Sequence, residues 1–298
     1  MSIRGGKQRL REAAAGYSFM SPAIVVLGCF LLLPILYAVF LSFHKVKLLG
    51  GISYQFNGTA NFERMAHDER LWIALRNTAR YALIVVPSQT MLALVLASIL
   101  NMKLRFRNFF RVAYYLPTVT SSAVLVLIFM WIYNANGLLN YLLDKVGLPT
   151  YNWLGDPSVA LAGIMMMNIW STAPLFMVIY LAALQDIPQS QYEAAEIDGA
   201  NGWQKFWRIT VPQLKPVTFY VVVMGIIGTF QLFDQSYIFS AGSGGPNNAT
   251  LTMVLLIYQY AFKNLDMGYA SALAFLLAVV IMLITVVQRL IFREEKLN

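Results

Sequence analysis

Apolar and polar positions alternate along this chain in long blocks rather than at helical or strand periods. Six stretches are apolar over roughly the twenty residues that a helix needs to cross about 30 Å of hydrocarbon. They are residues 22–43, 81–100, 113–133, 159–184, 217–239 and 269–292. A seventh apolar run, 251–262, is only about half that length and predicts an interfacial or re-entrant helix. The first run is too long for a signal-peptide core, and no small-residue cleavage site follows it. The pattern therefore predicts an all-α, polytopic membrane protein with six transmembrane helices, one transmembrane domain over 1–298.

Composition agrees. Only 12% of the 298 residues are charged and 58% are apolar, against about 25% charged in an ordinary soluble domain. The net charge of +8 is gathered at the ends of apolar runs, which suits orientation in a membrane rather than nucleic-acid binding. With six spans both termini share a side. That side carries Arg4, Lys7, Arg9, Arg11, Lys103, Arg105, Arg107, Arg111, Lys205, Arg208, Lys215, Arg289, Arg293 and Lys296, fourteen of the 22 basic residues. The positive-inside rule places it, with both termini, in the cytoplasm. The first external loop runs against the rule with Lys45, Lys47, Arg64, Arg70 and Arg76, although Glu63, Asp68 and Glu69 accompany them. Cys29 stands alone in an apolar run, and His44 and His67 are the only histidines, so no disulfide, metal site or catalytic constellation is expected. The sequons at Asn57 and Asn248 read as loop chemistry.

Pro34, Pro87, Pro117 and Pro174 fall inside predicted spans. Each removes a backbone hydrogen bond, which is tolerated in a membrane where neighbouring helices or a cavity meet the freed carbonyl. Four such breaks fit a bundle around a pathway, although ordinary bent packing explains any one of them. Asn168, in the middle of the fourth span, and Gln231, one turn before Asp234 in the fifth, are polar groups at membrane depth, beside Trp170, Phe230 and Phe233. Amides, a carboxylate and flat rings suit a sugar, through hydrogen bonds to hydroxyls and stacking on the ring. The competing reading is hydrogen bonding between helices, and Asp234, near the outer end of its span, leans that way. Met165, Met166 and Met167 read as packing.

The polar segment 185–216 separates the fourth and fifth spans. Ser190 and Glu193 have the spacing of a capping box that would start a short helix, and Gly199 suits its left-handed end. Trp203, Phe206 and Trp207 share a face of a second short helix, closed by Pro212 and Pro216. Ala194 and Ala195 leave a smooth surface suited to a groove on another protein.

Glu193-Ala194-Ala195, three residues, Gly199, nine residues, then Ile209-Thr210-Val211-Pro212 resembles the signature of the inner-membrane permease subunits of ABC importers, with Val211 where that signature has leucine. Phe233-Asp234-Gln235, Gly244-Gly245-Pro246, Tyr258, Ala261-Phe262 and Gly268-Tyr269-Ala270-Ser271-Ala272 resemble the carbohydrate branch, of maltose and glycerol-phosphate type. The resemblance implies that 185–216 is a coupling hairpin seated on a cytoplasmic ATPase, with Glu193, Ala194, Ala195, Asp198, Gly199, Ile209 and Pro212 at the contact. It also implies two ATP-binding subunits carrying ATP-Mg, a second permease subunit in a heterodimer, an extracytoplasmic solute-binding protein, and the bacterial inner membrane as the location. The chain lacks a Gly-x-x-x-x-Gly-Lys-Ser/Thr loop and carries no cofactor of its own, so energy must come from another polypeptide. Asn168, Trp170, Gln231 and Asp234 are the candidate substrate pathway. A secondary transporter is the alternative; it would need internal repeats and embedded coupling charges.

Overall fold

The computed structural model describes residues 3–47, 51–102 and 105–293, so Lys103 and Lys296 lie outside the described residues. The chain divides into two compact units, residues 1–67 with 260–276, and residues 68–259 with 277–298.

In the first unit, α1 (Ile3–Leu27) passes through a π-helical turn at Gly28–Leu32 into α2 (Leu33–Ser42). Pro34 follows the π-helical turn inside this continuous helix and removes one backbone donor there. Most of this long apolar rod is exposed within the chain, as expected of a surface made for lipid or another subunit. An antiparallel ribbon of β1 (His44–Lys47) and β2 (Ser53–Phe56) follows, a strand pair that the apolar blocks do not announce. The Asn61 amide of α3 (Ala60–His67) ties it down by donating to the carbonyls of Ser42 at 2.8 Å and His44 at 3.3 Å. Gly268 packs so tightly on this corner that a Cβ there would lie 2.0 Å from the His44 carbonyl oxygen. Arg64 bridges to Asp266 at 2.7 Å, and its guanidinium lies 4.0 Å from the centre of the Tyr269 ring.

The second unit is built on α4 (Glu69–Asn101), capped by the Asp68 carboxylate on the Arg70 and Leu71 amides. α5 (Arg107–Val119), α6 (Ser122–Ile132) and α7 (Leu138–Lys145) come next, followed by α8 (Ala160–Gln185). α9 (Gln189–Ile197), α10 (Gly202–Lys205) and α11 (Val211–Gln213) form the polar hairpin, with a π-helical turn at Phe206–Thr210. α12 (Lys215–Phe230), α13 (Asp234–Phe239) and α14 (Met253–Tyr258) complete the order before α15 (Met267–Arg293). α8 packs along α4 with small residues at the seam: Ala93, Ala97 and Ala173 are fully buried, which lets the backbones approach closely. Met165 and Met167 belong to the core, as packing residues should, while Met166 is exposed.

Among the described residues five helical stretches are long and apolar enough to cross a membrane: Arg11–Ser42, Glu69–Asn101, Ala160–Gln185, Lys215–Phe239 and Met267–Ile291. A bent pair, Asn108–Val119 and Ser122–Ile132, meets at 98° and makes a sixth if its two halves cross as one span. The third span expected over 113–133, with its proline break at Pro117, occurs as two half-helices. Pro117 removes one helical hydrogen bond, and Thr120 and Ser121 take extended backbone angles that end one half and begin the next. The 251–262 run is α14 plus a π-helical turn at Gln259–Lys263, too short to cross.

Candidate functional site

The fourth and fifth spans carry the polar groups, and local chain chemistry decides where those groups point. α12 ends at Phe230; Gln231, Leu232 and Phe233 form a break, and α13 restarts at Asp234. The break is pinned where the buried Thr252 hydroxyl donates to the Leu232 carbonyl at 2.9 Å. Asp234 thus lies in the first turn of a short helix, where an acid interacts favourably with the helix dipole, and not midway along a continuous span.

Asn168, Gln231 and Asp234 line one cavity of about 370 Å³ between α4, α8 and α12. Trp170 does not line it: its ring packs against Phe129 at 5.5 Å between centroids, and it is 48% exposed. The spacing of two residues puts Trp170 on a different face of α8 from Asn168, since neighbours on one helix face are three or four apart. The cavity also recruits residues that sequence reasoning did not single out. Gln89 of α4 is buried, and its Oε1 lies 2.7 Å from the Thr172 hydroxyl, which is also 2.7 Å from the Asn168 carbonyl. The hydroxyl has one proton and donates to one of them at a time. Thr172 sits one turn beyond Asn168, a spacing visible in the sequence. Gln89 is 79 positions earlier than Asn168, and no local pattern links them. Gly225 is small for a reason, because a Cβ there would come 2.7 Å from Gln89 Nε2.

A second cavity, of about 220 Å³, adjoins the bend between α5 and α6. Thr118, Thr120 and Ser122 face Ser171 across it, with Thr118 Oγ1 donating to the Ser171 carbonyl at 3.1 Å. Thr172, Leu175 and Gln235 line both cavities, so hydroxyl and amide groups continue from one to the other.

The hairpin ends its first helix in a Schellman arrangement. Ala200 N donates to the Ala195 carbonyl at 2.8 Å and Gly199 N to that of Glu196 at 3.0 Å, with Gly199 at φ +76°. The expected capping box at Ser190 and Glu193 is absent. Helix α9 already begins at Gln189 after Pro188, so Ser190 is itself helical and cannot act as a cap. The capping box occurs instead on the second arm, where Asn201 Oδ1 accepts from Gln204 N and Asn201 N donates to Gln204 Oε1, both at 2.9 Å. Lys205 bridges to Glu196 at 2.6 Å, and Tyr192 and Thr210 join their hydroxyls at 2.8 Å, so the two arms hold a fixed angle. Glu193, Ala194, Asp198, Gly199 and Pro212 are exposed, and Ala195 and Ile209 half-buried. Trp207 meets Trp203 and Phe206 edge to face beside them, and Ile197 is 87% exposed. An exposed apolar and aromatic surface of this kind marks a contact with protein or membrane. Among the described residues no group of His, Cys, Asp and Glu could hold a metal ion.

A helical membrane chain with a polar cavity between its spans and a braced, exposed hairpin is a transport component that works with other proteins. Residues 89–296 match the family of binding-protein-dependent transport system inner membrane components, and the chain belongs to that family. It is a permease subunit of an ABC importer, as are its relatives. The lactose transport system permease protein LacF of Rhizobium radiobacter is 36% identical over 285 residues, 94% of this chain and 95% of that one. The trehalose/maltose transport system permease protein MalF of Thermococcus litoralis is 33% identical, covering 94% of each. A bacterial alginate ABC transporter, solved in complex with an alginate pentasaccharide-bound periplasmic protein, contains a chain of the same fold, with a TM-score of 0.83, 21% identity and 98% of both chains covered.

Proposed function

We propose that this permease imports a neutral or weakly charged oligosaccharide, driven by ATP hydrolysis on two separate cytoplasmic subunits. The observation that carries the reading is the line of amides and hydroxyls through the two adjoining cavities, from Gln231 and Asn168 through Thr172 to Ser122. Such groups replace water around sugar hydroxyls, each exchange being worth about 0.5–1.5 kcal/mol net. That permits passage without deep trapping. Relatives named for lactose, for trehalose and maltose, and for arabinooligosaccharides support this substrate class.

The hairpin 185–216 is the arm on which the ATPases act, with Glu193, Ala194, Ala195, Asp198, Gly199, Ile209 and Pro212 at the contact. The Glu196–Lys205 bridge and the Gly199 turn make it stiff enough to transmit a displacement. A second permease subunit completes the path, an extracytoplasmic binding protein delivers the sugar, and both termini lie in the cytoplasm. The chain is a conduit and holds no ATP-Mg itself.

The test is reconstitution in proteoliposomes with the ATPase, the second permease and the binding protein. Labelled oligosaccharide should accumulate only with ATP and binding protein together. Accumulation driven by an ion gradient without ATP would instead identify a secondary transporter.

A further inference from the structure

We propose that a groove in the second unit seats an anionic glycerophospholipid, with its phosphate held between Arg76 and Arg80 and an acyl chain along α4. The groove measures about 590 Å³ and is floored by Leu83 and Pro87 of α4, Phe230 of α12 and Ile284 of α15. That volume is within the usual range of small-molecule sites, about 300–1,000 Å³. Arg76, Arg80, Leu83 and Pro87 succeed one another at spacings of four, three and four, which keeps them on a single helix face.

The depth of the groove matches a lipid. Eleven residues separate Arg76 from Pro87, about 16 Å at 1.5 Å per residue. This is close to half of the roughly 30 Å hydrocarbon thickness. With the guanidiniums at headgroup level, Pro87 reaches the bilayer middle, and the apolar floor spans one leaflet. In the topology proposed above, that is the outer leaflet.

Charge selects the occupant. Both arginines are exposed, and among the described residues neither has an ion-pair partner, while Arg64 and Lys205 do. Two cations one helical turn apart repel each other, and a phosphodiester between them removes the repulsion. A helix from another subunit would have to bring carboxylates to the same depth beside an otherwise apolar face. The lipid supplies the anion at headgroup level and the hydrocarbon below it in one molecule. Arg76 is one of the five basic residues of the first external loop that run against the charge asymmetry, and a headgroup contact gives it a role there.

The experiment uses the assembled transporter purified from mixed vesicles of equimolar phosphatidylglycerol and phosphatidylcholine. Native mass spectrometry counts the retained lipids. Wild type should retain phosphatidylglycerol preferentially. Arg76→Gln/Arg80→Gln should bind it about thirty-fold more weakly, at the usual strength of two basic residues near an anionic surface, and Arg76→Lys/Arg80→Lys should retain most of the preference. A Leu83→Trp variant should be quenched more by brominated phosphatidylglycerol than by brominated phosphatidylcholine, which reads the site even if the arginine variants assemble poorly. Equal retention by wild type and the glutamine variant, or equal quenching by the two lipids, overturns the proposal. So does efficient crosslinking of a photoreactive benzophenone side chain placed at position 83 to a neighbouring subunit, which would make the groove a protein interface.

Discussion

Replacing Gly225 with alanine tests whether the cavity polar groups are held in one arrangement. The new Cβ would lie 2.7 Å from Gln89 Nε2, whereas ordinary contact begins near 3.4 Å, so the amide must retreat by 3.4 − 2.7 = 0.7 Å. Gln89 cannot retreat freely, since its Oε1 sits 2.7 Å from the Thr172 hydroxyl and the residue is only 2% exposed. A retreat of that size along the bond stretches it beyond good hydrogen-bond geometry. Leaving a buried amide unpaired costs about 1–3 kcal/mol. Alanine recovers about 0.5–1 kcal/mol through its better helix propensity. The net expectation is a loss of about 1–2 kcal/mol, seen as a 5- to 30-fold drop in sugar uptake at limiting substrate and a lower melting temperature of the purified complex. The decisive measurement is a double-mutant cycle with Gln89→Ala, because deleting the amide also removes the clash. Gly225→Ala should then add little to Gln89→Ala. Wild-type uptake and stability in Gly225→Ala, or effects that add to within about 0.3–0.5 kcal/mol, would refute the close-contact argument.

Three other substitutions or fusions bear on separate parts of the reading. Gly199→Val should abolish ATP-dependent uptake while the subunit still inserts, because open space surrounds the position and the whole penalty comes from φ +76°; Gly199→Asn, which tolerates that conformation, should retain much of the activity, and normal transport by the valine variant would sink the hinge role. Asn168→Ala and Gln231→Ala should each weaken uptake or shift sugar preference several-fold, at about 0.5–1.5 kcal/mol per lost hydrogen bond, with the ATPases still co-purifying; failure of both variants to assemble would make these residues inter-helix ties instead. Reporter fusions after Arg105, Trp207 and Lys296 should read cytoplasm and those near His67, Asn152 and Asn247 the outside; a cytoplasmic signal near Asn152 would show that the bent α5–α6 pair does not cross, and a cytoplasmic signal near Asn247 or an external tail would mean that the spans around 251–262 are miscounted.

The long apolar helices, the polar hairpin and its left-handed glycine were legible in the sequence, because each rests on local chemistry. Twenty apolar residues prefer lipid wherever their neighbours are. The positive φ at Gly199 follows from a helix that must stop. The capping box read at Ser190-x-x-Glu193 failed because α9 starts at Gln189, directly after Pro188, which places Ser190 inside the helix; the box at Asn201-x-x-Gln204, on the next helix, was missed. The 98° bend likewise needed more than Pro117, since Pro87 and Pro174 lie inside helices that continue past them. Thr118 and Ser171 meeting across a cavity gives the freed backbone somewhere to turn.

The sequence by itself determined that this is a helical membrane protein with a solvent-facing arm, since hydrophobic transfer and chain stiffness act over a few residues at a time. Only the tertiary structure decided that Gln89 meets Thr172 and that Gln231 and Asp234 stand at a break. Those outcomes depend on how α4, α8 and α12 rotate against one another. That rotation is set by the small residues at their seams, and in a chain apolar on nearly every face no period in the sequence encodes it.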